Sequence, residues 1–260
     1  MQALLLAAAL LAAAAVESTT AAAGPSAESS LIPAAALQEP ELPLDVWTGT
    51  ISLFAGYTGG NSKSDGYGGK ANAQYRREKD RTTLQFFYDK KFSDDTRTVD
   101  KRFADAKYDY FLSEKTYWWG KVRFDVDREA DLMLQSLAST GIGRQFAESE
   151  VWKLGGEAGV SYIDQDFDGS AADDDFVALR LGANADYNPS KRWGISNSTD
   201  YFPSLEDSDA WYVVANTKAK LAFTESMSGS LTYLFTHQET PPAGNKQDDH
   251  NILLGIDWNF

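Results

Sequence analysis

The chain has 260 residues, a formal net charge of −14, 13% aromatic residues and no cysteine. The lack of cysteine excludes a disulfide scaffold, a thiol nucleophile and a cysteine-ligated metal centre, and the acidic balance argues against nucleic acid as a partner. A mean hydropathy of −0.40 without a long apolar segment excludes a helical membrane protein. This hydropathy does not exclude a membrane β-barrel, because barrel strands alternate polar and apolar residues.

The first residues predict an export signal. The apolar stretch from Ala3 to Val16 is shorter than the roughly 20 residues of a membrane-spanning helix. Ala21–Ala23 offers a small-residue cleavage site, so we expect residues 1–23 to be a signal peptide, with a buried alanine-rich helix as the alternative. Residues 24–45 hold four of the eight prolines and no periodic pattern, which predicts a flexible periplasmic lead-in.

From residue 46 onward, apolar and polar residues alternate as in β-strands with one apolar face. Turn-forming residues divide this part into about 12 segments of roughly 9–14 residues, and a membrane-spanning strand needs about 9–11. In Leu132–Phe146 the sequence does not show which of the two faces is apolar, and in Trp193–Tyr201 the alternation is weak. Three segments show the pattern clearly, with these apolar faces: Trp152, Leu154, Gly156, Ala158, Val160 and Tyr162; Val177, Leu179, Leu181, Ala183, Ala185 and Tyr187; Trp211, Val213, Ala215, Thr217, Ala219, Leu221 and Phe223.

The connections between the segments alternate in length. Short ones lie at 78–80, 113–115, 147–150, 188–191 and 224–227; longer, acidic ones lie at 59–65, 92–98, 164–175, 203–209 and 238–249. A tighter connection near 128–131 departs mildly from this rule. Short turns on one rim and long loops on the other are typical of outer-membrane barrels. Residues 46–260 are therefore predicted to form an all-β, up-and-down antiparallel transmembrane β-barrel of about 12 strands; a secreted soluble β-sandwich is the alternative.

Aromatic residues cluster at the predicted short-turn rim. A girdle of such rings is expected where the outer-membrane lipid meets water, although large aromatics also favour strand ends in soluble β proteins. The predicted girdle consists of Trp47, Trp118, Trp152, Trp193, Trp258 and Phe260.

The last segment has a further feature. Ile252, Leu254, Ile256, Trp258 and Phe260 share one face. An amphipathic strand that ends in phenylalanine resembles the sorting signal of bacterial outer-membrane barrels. We therefore expect the barrel assembly machinery to recognise the strand ending at Phe260, with a last core strand of a soluble protein as the alternative.

The opposite face of the strands carries charges of both signs. Such residues would each cost a few kcal/mol against lipid, so they are predicted to line the barrel interior. A narrow pore and a charge-paired plug are both compatible with about 12 strands, because eight strands give a filled interior and sixteen an aqueous channel. The predicted inward charges include Lys70, Arg76, Asp105, Lys107, Asp109, Lys121, Arg123, Asp125, Asp127, Glu157, Arg180, Asp186, Asp200, Lys218 and Lys220.

An aspartate-rich connection resembles a calcium-binding loop. Asp164, Asp166, Asp168 and Asp175 occupy positions 1, 3, 5 and 12 of such a loop, with Gly169 at position 6. These positions supply the hard oxygen ligands that Ca²⁺ prefers. We therefore consider a calcium site here, against the alternative of a solvated acidic loop; no other cofactor is predicted.

Two histidines flank the last long connection. His237 and His250, with Asp248 and Asp249 alongside, could form an acid–base pair at the rim. Some outer-membrane hydrolases use Asp and His, or Ser and His, at such positions, but the local signatures of those enzymes are missing. We predict no enzymatic activity, with a rim-active hydrolase as the alternative.

Several short motifs carry a family resemblance. They are Trp47–Leu53, Gly59–Ser64, Tyr75–Arg77, Tyr108–Leu112 and Gly141–Arg144. Together they resemble the salt-induced outer-membrane protein family, whose function is unknown, over roughly residues 45–260. The resemblance implies a location in the outer membrane of a Gram-negative bacterium and transfers no catalytic residue.

These observations together predict a porin-like barrel. We expect a narrow pore or an envelope-maintenance barrel, linked to osmotic or salt stress, with an acidic extracellular rim. Small ions are the expected solutes, and an anionic mouth should favour cations over anions.

Overall fold

A computed structural model describes residues 44–59, 64–93, 96–128, 132–167, 174–205, 211–239 and 247–260. The predicted signal peptide and all but the last two residues of the predicted lead-in lie outside this part of the chain. In the described ranges, no helix is long and apolar enough to span a membrane.

The described residues form 12 β-strands. Their bounds are β1 (Trp47–Gly59), β2 (Ser64–Arg76), β3 (Asp80–Ser93), β4 (Thr96–Phe111), β5 (Thr116–Asp127), β6 (Leu132–Glu148), β7 (Trp152–Phe167), β8 (Asp174–Tyr187), β9 (Trp193–Pro203), β10 (Trp211–Ala222), β11 (Met227–Gln238) and β12 (Asp248–Asn259).

The strands make one closed sheet in which each strand pairs antiparallel with its neighbours in sequence. The sheet closes where β1 meets β12, in a register that runs from Thr50 opposite Asn259 to Gly59 opposite His250. Reciprocal backbone hydrogen bonds of 2.9 and 3.0 Å between Gly49 and Phe260 extend this seam. The prediction of an up-and-down antiparallel barrel of about 12 strands is confirmed, and a β-sandwich is not favoured.

One rim is built from tight turns with related sequences. Ser113, Ser149 and Thr224 each precede a glutamate, and the hydroxyl of each accepts a hydrogen bond from the backbone N–H three residues later, at 3.2, 3.0 and 3.0 Å. Hydroxyl side chains satisfy turn N–H groups in this way where the ladder ends. The short connections are therefore encoded locally, and they hold consecutive strands in register.

The two faces of the barrel wall differ in polarity. Large apolar side chains stand exposed on the outer face, as at Leu53 (70%), Leu254 (67%), Phe86 (52%) and Leu181 (49%). A water-soluble protein would not expose so wide an apolar surface, whereas lipid-facing strands require one. The residues that alternate with them along each strand point into the barrel, because successive strand residues face opposite sides of the sheet.

The residue types on β6 explain why the segment from Leu132 onward has an ambiguous face. The register on its pairing with β7 shifts only near the two ends, between Leu132 and Leu134 and between Gln145 and Ala147. Between these shifts the strand alternates regularly, with Leu137 buried on the inner face and Thr140 exposed on the outer face. An apolar residue inside and a polar residue outside therefore hide the period of two in the sequence.

The weak alternation of β9 has a different cause. Asn197 and Thr199 lie on its outer face, where the side chain of Asn197 donates a 2.9 Å hydrogen bond to Thr217 of β10, and Thr199 donates one of 3.1 Å to Asn197. Polar groups that satisfy one another can face lipid at reduced cost. The strand is regular, but its outer face lacks the apolar residues that would show it in the sequence.

Inside the barrel, Trp119 is fully buried over a pair of glycines. Gly141 and Gly159 face each other on β6 and β7, and a Cβ atom on either would lie 2.7 Å from Cζ2 of the indole. The two glycines therefore make room for the ring, while the adjacent Trp118 points outward with 42% of its surface exposed.

We expect Trp119→Ala to lower the free energy of unfolding by about 3–5 kcal/mol, because it removes a large buried side chain and leaves a cavity. Trp118→Ala, which removes the same side chain from the outer face, should have a clearly smaller effect. Denaturant unfolding in detergent micelles, followed by intrinsic fluorescence, measures both. Equal losses in the two variants would contradict the assigned orientation of β5.

Candidate functional site

The interior of the barrel is the candidate site, and one side of it is densely packed. Lys107 of β4 forms an ion pair with Glu157 of β7, two strands that are not neighbours in the sheet. Arg180 of β8 binds the same carboxylate at 2.7 Å and also Asp200 of β9 at 2.7 Å. The hydroxyl of Tyr117 donates a 2.8 Å hydrogen bond to Glu157. Because these contacts span non-adjacent strands, they cross the interior and tie strands β4 to β9 together.

The same network continues toward the short-turn rim. Asp109, which is fully buried, binds Arg81 at 2.7 Å and Lys107 at 2.8 Å. The guanidinium of Arg76 lies 3.7 Å from the centroid of the Phe111 ring, and that of Arg180 lies 4.8 Å from the ring of Trp119. Carboxylates and aromatic faces therefore both stabilise cations inside the barrel.

Two apolar clusters also lie inside, and the sequence analysis did not predict them. One contains Leu137, Ile163, Ala178 and Phe202, with Phe176 and Tyr212 packed against it. The other contains Phe54, Phe87 and Leu253, with Phe103 and Leu234 packed against it. The inward positions of Ala178 and Tyr212 were visible in the sequence, because each sits between two outward residues on a clearly alternating strand. The predominance of charges at such positions masked them.

The wall formed by β8, β9 and β10 is different, and we call it the open wall. Its inward residues Asn184, Ser198, Val214 and Lys220 are exposed to solvent, with Val214 at 39%. On β3 to β7, many inward side chains are buried, as at Asp89 (0%), Ser161 (1%) and Ile163 (1%). Solvent therefore reaches the interior along part of this wall. Nearer the long-loop rim, Ala178, Phe202 and Tyr212 of the same three strands pack into the first apolar cluster, and side chains fill the opposite half of the interior.

The residues of the predicted girdle lie at the short-turn rim on the outer face. Trp47, Trp118, Trp193, Trp258 and Phe260 are between 42% and 57% exposed. Their rings join neighbouring aromatics. Trp47 contacts Tyr75 at 5.3 Å, Trp152 contacts Tyr187 at 4.3 Å, and Tyr187 contacts Trp193 at 5.9 Å. Outward aromatic rings at one rim are typical of residues at a lipid–water boundary. Contact of these rings with lipid stays a prediction.

The predicted calcium loop is only partly described. Asp164 and Asp166 lie on β7, and Asp175 lies on β8 directly opposite Asp164. Asp168 lies outside the described residues. Within the described chain, no three histidine or acidic side chains are grouped so that they could hold a metal ion. The hydroxyl of Tyr162 donates a 3.1 Å hydrogen bond to Asp175, and calcium binding stays a prediction.

The two histidines are diagonal neighbours on the outer face at the long-loop rim. His237 pairs with Asp248 in the ladder, and His250 pairs with Phe235. The Nδ1 atom of His237 lies 2.7 Å from Asp248, its Nε2 atom lies 3.2 Å from Glu239, and its ring stacks on Trp211 at 4.7 Å. His250 meets the hydroxyl of Tyr233 at 2.7 Å. Each histidine is therefore held by neighbouring side chains on the outer face, and the absence of enzymatic activity stays a prediction.

The pKa of His237 is raised above its ordinary value. Burial lowers this pKa, but the hydrogen bonds to Asp248 and Glu239 raise it by more. This group, with two carboxylates, cannot face hydrocarbon, so it lies above the apolar band at the end of β11.

The fold and its interior define the class of protein. A closed barrel of 12 antiparallel strands, apolar outside and charged inside, is an outer-membrane β-barrel. The chain belongs to the family described as "Protein of unknown function, DUF481", whose model matches residues 51–260. The expected membership of a barrel family of unknown function is thus confirmed in its coarser form, and the association with salt induction stays a prediction.

Solved structures agree with this class. The NanC porin matches with a TM-score of 0.56 and 9% identity, covering 81% of this chain and 100% of that chain. An outer-membrane channel from Pseudomonas putida F1 matches with a TM-score of 0.52 and 12% identity, covering 84% of this chain and 97% of that chain. At such identities the similarity shows the fold alone. A search of curated proteins gave no match.

The raised pKa of His237 predicts a pH-dependent contribution to stability. Protonated His237 is stabilised in the folded barrel, so its contribution is complete below the ordinary histidine pKa and is lost as the pH rises through the raised value. The difference in unfolding free energy between the wild type and His237→Gln should therefore be larger at about pH 5 than at about pH 9. Denaturant unfolding in micelles at both pH values measures it.

Asp248→Asn provides the control for this prediction, because it removes the closest carboxylate and leaves the imidazole. In that background, the pH dependence of the His237→Gln effect should shrink. A difference that stays constant with pH in the wild-type background would show that the two carboxylates do not hold the proton on His237.

Proposed function

We propose that the protein is a narrow, porin-like channel that lets small hydrophilic solutes and ions cross the outer membrane beside a packed half-interior. The observation that carries this proposal is the open wall. Asn184, Ser198 and Lys220 face inward and are exposed to solvent, which a completely filled barrel would not allow. Water along one wall provides the polar path that a small solute needs.

The narrowness follows from the opposite half of the interior. Trp119, Tyr117 and the ion pairs around Glu157 occupy space that is open water in wider porins. Barrels of eight strands are filled by their own side chains, and barrels of sixteen hold an aqueous channel. A barrel of 12 strands with one filled side leaves less room than a wider porin, so we propose small solutes as its cargo.

The long-loop rim is acidic on its outer side. Asp166, Asp175 and Asp248 are exposed there at outward positions of β7, β8 and β12, and such a field attracts cations from solution. A role in osmotic or salt stress would fit a barrel of this kind, and it rests on the sequence resemblance alone.

The last strand, β12, supports a proposal on how the protein reaches the membrane. The outward residues of β12, among them Ile252, Leu254 and Trp258, are 48%, 67% and 57% exposed. An exposed apolar strand at the seam is available for recognition before the barrel closes. This supports β12 as the strand that the barrel assembly machinery binds, with outer-membrane lipid as the final partner.

A matched pair of cysteine variants tests the water-filled path. The natural chain has no cysteine, so Ser198→Cys and Thr199→Cys each carry a single thiol, on the inner and outer face of β9 respectively. In proteoliposomes, a charged, water-soluble methanethiosulfonate reagent should label Ser198→Cys and leave Thr199→Cys largely unmodified. In planar bilayers, labelling of Ser198→Cys should reduce the conductance, because the added group narrows the open wall.

Heat-modifiable gel migration establishes that both variants are folded barrels. Loss of labelling at Ser198→Cys, or equal labelling of the two positions, would contradict a hydrated inner wall. Full labelling without any conductance in the unlabelled protein would remove the channel and leave an envelope barrel with a water-filled recess.

A further inference from the structure

Near the middle of the barrel, four basic side chains face the interior from three walls. Lys70 lies at the centre of β2, Lys121 and Arg123 lie on β5, and Lys218 lies on β10. In the ladder, Lys70 stands opposite Ser52, which itself stands opposite Asp257 of β12. Asp257 binds Lys218 at 2.6 Å, although β2 and β10 are separated by three strands. On its other side Lys70 stands opposite Phe87, whose ring stacks on Phe103 at 5.2 Å, and the guanidinium of Arg123 lies 3.9 Å from the Phe103 ring. These contacts connect the basic side chains inside the barrel, and we call this group the basic waist.

The carboxylates of this region lie behind the basic side chains. Asp257 is fully buried and binds Lys218 at 2.6 Å, while the Lys218 side chain keeps 26% of its surface exposed. Asp105, with a side chain 3% exposed, lies 3.5 Å from Lys121 and 3.9 Å from Arg123, whose side chains are 16% and 29% exposed. In these pairs the base is therefore the more exposed partner, and the acid lies behind it on the wall side.

Two further carboxylates of this region form ion pairs with arginines. Asp125, which is 18% exposed, binds Arg123 at 2.6 Å, and Asp200, which is 30% exposed, binds Arg180 at 2.7 Å. The guanidinium of Arg123 also lies flat at 3.9 Å from the ring of Phe103, which fixes its position. The arginines are therefore held in place, and their remaining N–H groups can serve an incoming acceptor.

Lys70 has no such counter-ion. Within the described chain, no carboxylate lies within ion-pair distance of its ammonium group, although Asp105 and Asp257 act on it from further away. In the ladder it stands between Ser52 and Phe87, neither of which carries charge. An ammonium group partly withdrawn from water and without a partner favours an anion beside it.

We propose that the basic waist of Lys70, Lys121, Arg123 and Lys218 is an anion-binding site, which selects small oxyanions bearing a carboxylate or phosphate group during passage. This inference rests on the proposed channel function and makes it more specific. The acidic rim alone favours cations, whereas the basic waist inside the barrel favours anions. In a confined interior, the nearer charges control which ion stays longest.

Lys70→Gln tests the proposal, because it removes one charge without breaking an ion pair. Lys79→Gln is the matched control, since Lys79 is exposed in the turn between β2 and β3. In planar bilayers under a potassium chloride gradient, the wild type should prefer chloride. Lys70→Gln should reduce the chloride-to-potassium permeability ratio by about two- to fivefold, the effect of one charge at a few ångströms in water, and Lys79→Gln should leave it unchanged.

Calorimetric titration of the detergent-solubilised barrel with inorganic phosphate gives a second readout that does not require conduction. The wild type and Lys79→Gln should bind phosphate, and Lys70→Gln should bind it more weakly by a similar factor. Lys70→Arg keeps the charge and should behave as the wild type in both measurements, provided that gel migration shows a folded barrel.

The outcomes separate the two proposals. Phosphate binding that depends on Lys70, in a barrel that does not conduct, would support the site and refute the channel. Conduction with a preference for cations, unchanged in Lys70→Gln and without phosphate binding, would refute the site and keep the channel. Equal effects of Lys70→Gln and Lys79→Gln would assign the change to overall charge and also refute the site.

Discussion

The structure depends on one constraint: no backbone N–H or C=O can remain unpaired in hydrocarbon. A sheet meets this requirement only by closing, and here it closes where β1 pairs with β12 along ten residue pairs. Closure gives every strand one lipid face and one interior face. Because a charged side chain against lipid is costly, the charges of the strands must either face inward or lie near the rims.

The interior then has to accommodate charges of both signs in a small volume, and it does so unequally. On β4 to β9, carboxylates such as Glu157 each bind two bases, and rings such as that of Trp119 fill the remaining space. On the open wall, small residues such as Ser198 leave the space unfilled. The distribution of side-chain volume around the barrel, more than the number of strands, decides whether a path for water exists.

Much of this architecture was predictable from the sequence, because large apolar residues at alternate positions mark a lipid face, as at Leu179 and Leu181. The prediction was weaker where that signal is interrupted. On β6, Thr140 faces outward and Leu137 faces inward, and Asn197 and Thr199 place a bonded polar pair on the outer face of β9. The partners inside the barrel were not predictable. Which base meets Glu157 depends on the stagger of strands far apart in sequence, and alternation carries no information about stagger.

Overall composition says little about the interior for a related reason. The net charge of −14 sums all residues of the chain, whereas the basic waist lies beside buried acids such as Asp257. In the proposed channel, a solute would meet the acidic rim first and the waist second. Exposed rim charges are screened beyond a Debye length of about 8 Å at physiological ionic strength. Charges in a confined interior are screened less, so the proposed site should dominate selectivity at physiological salt, and the rim should gain influence only as the salt concentration falls.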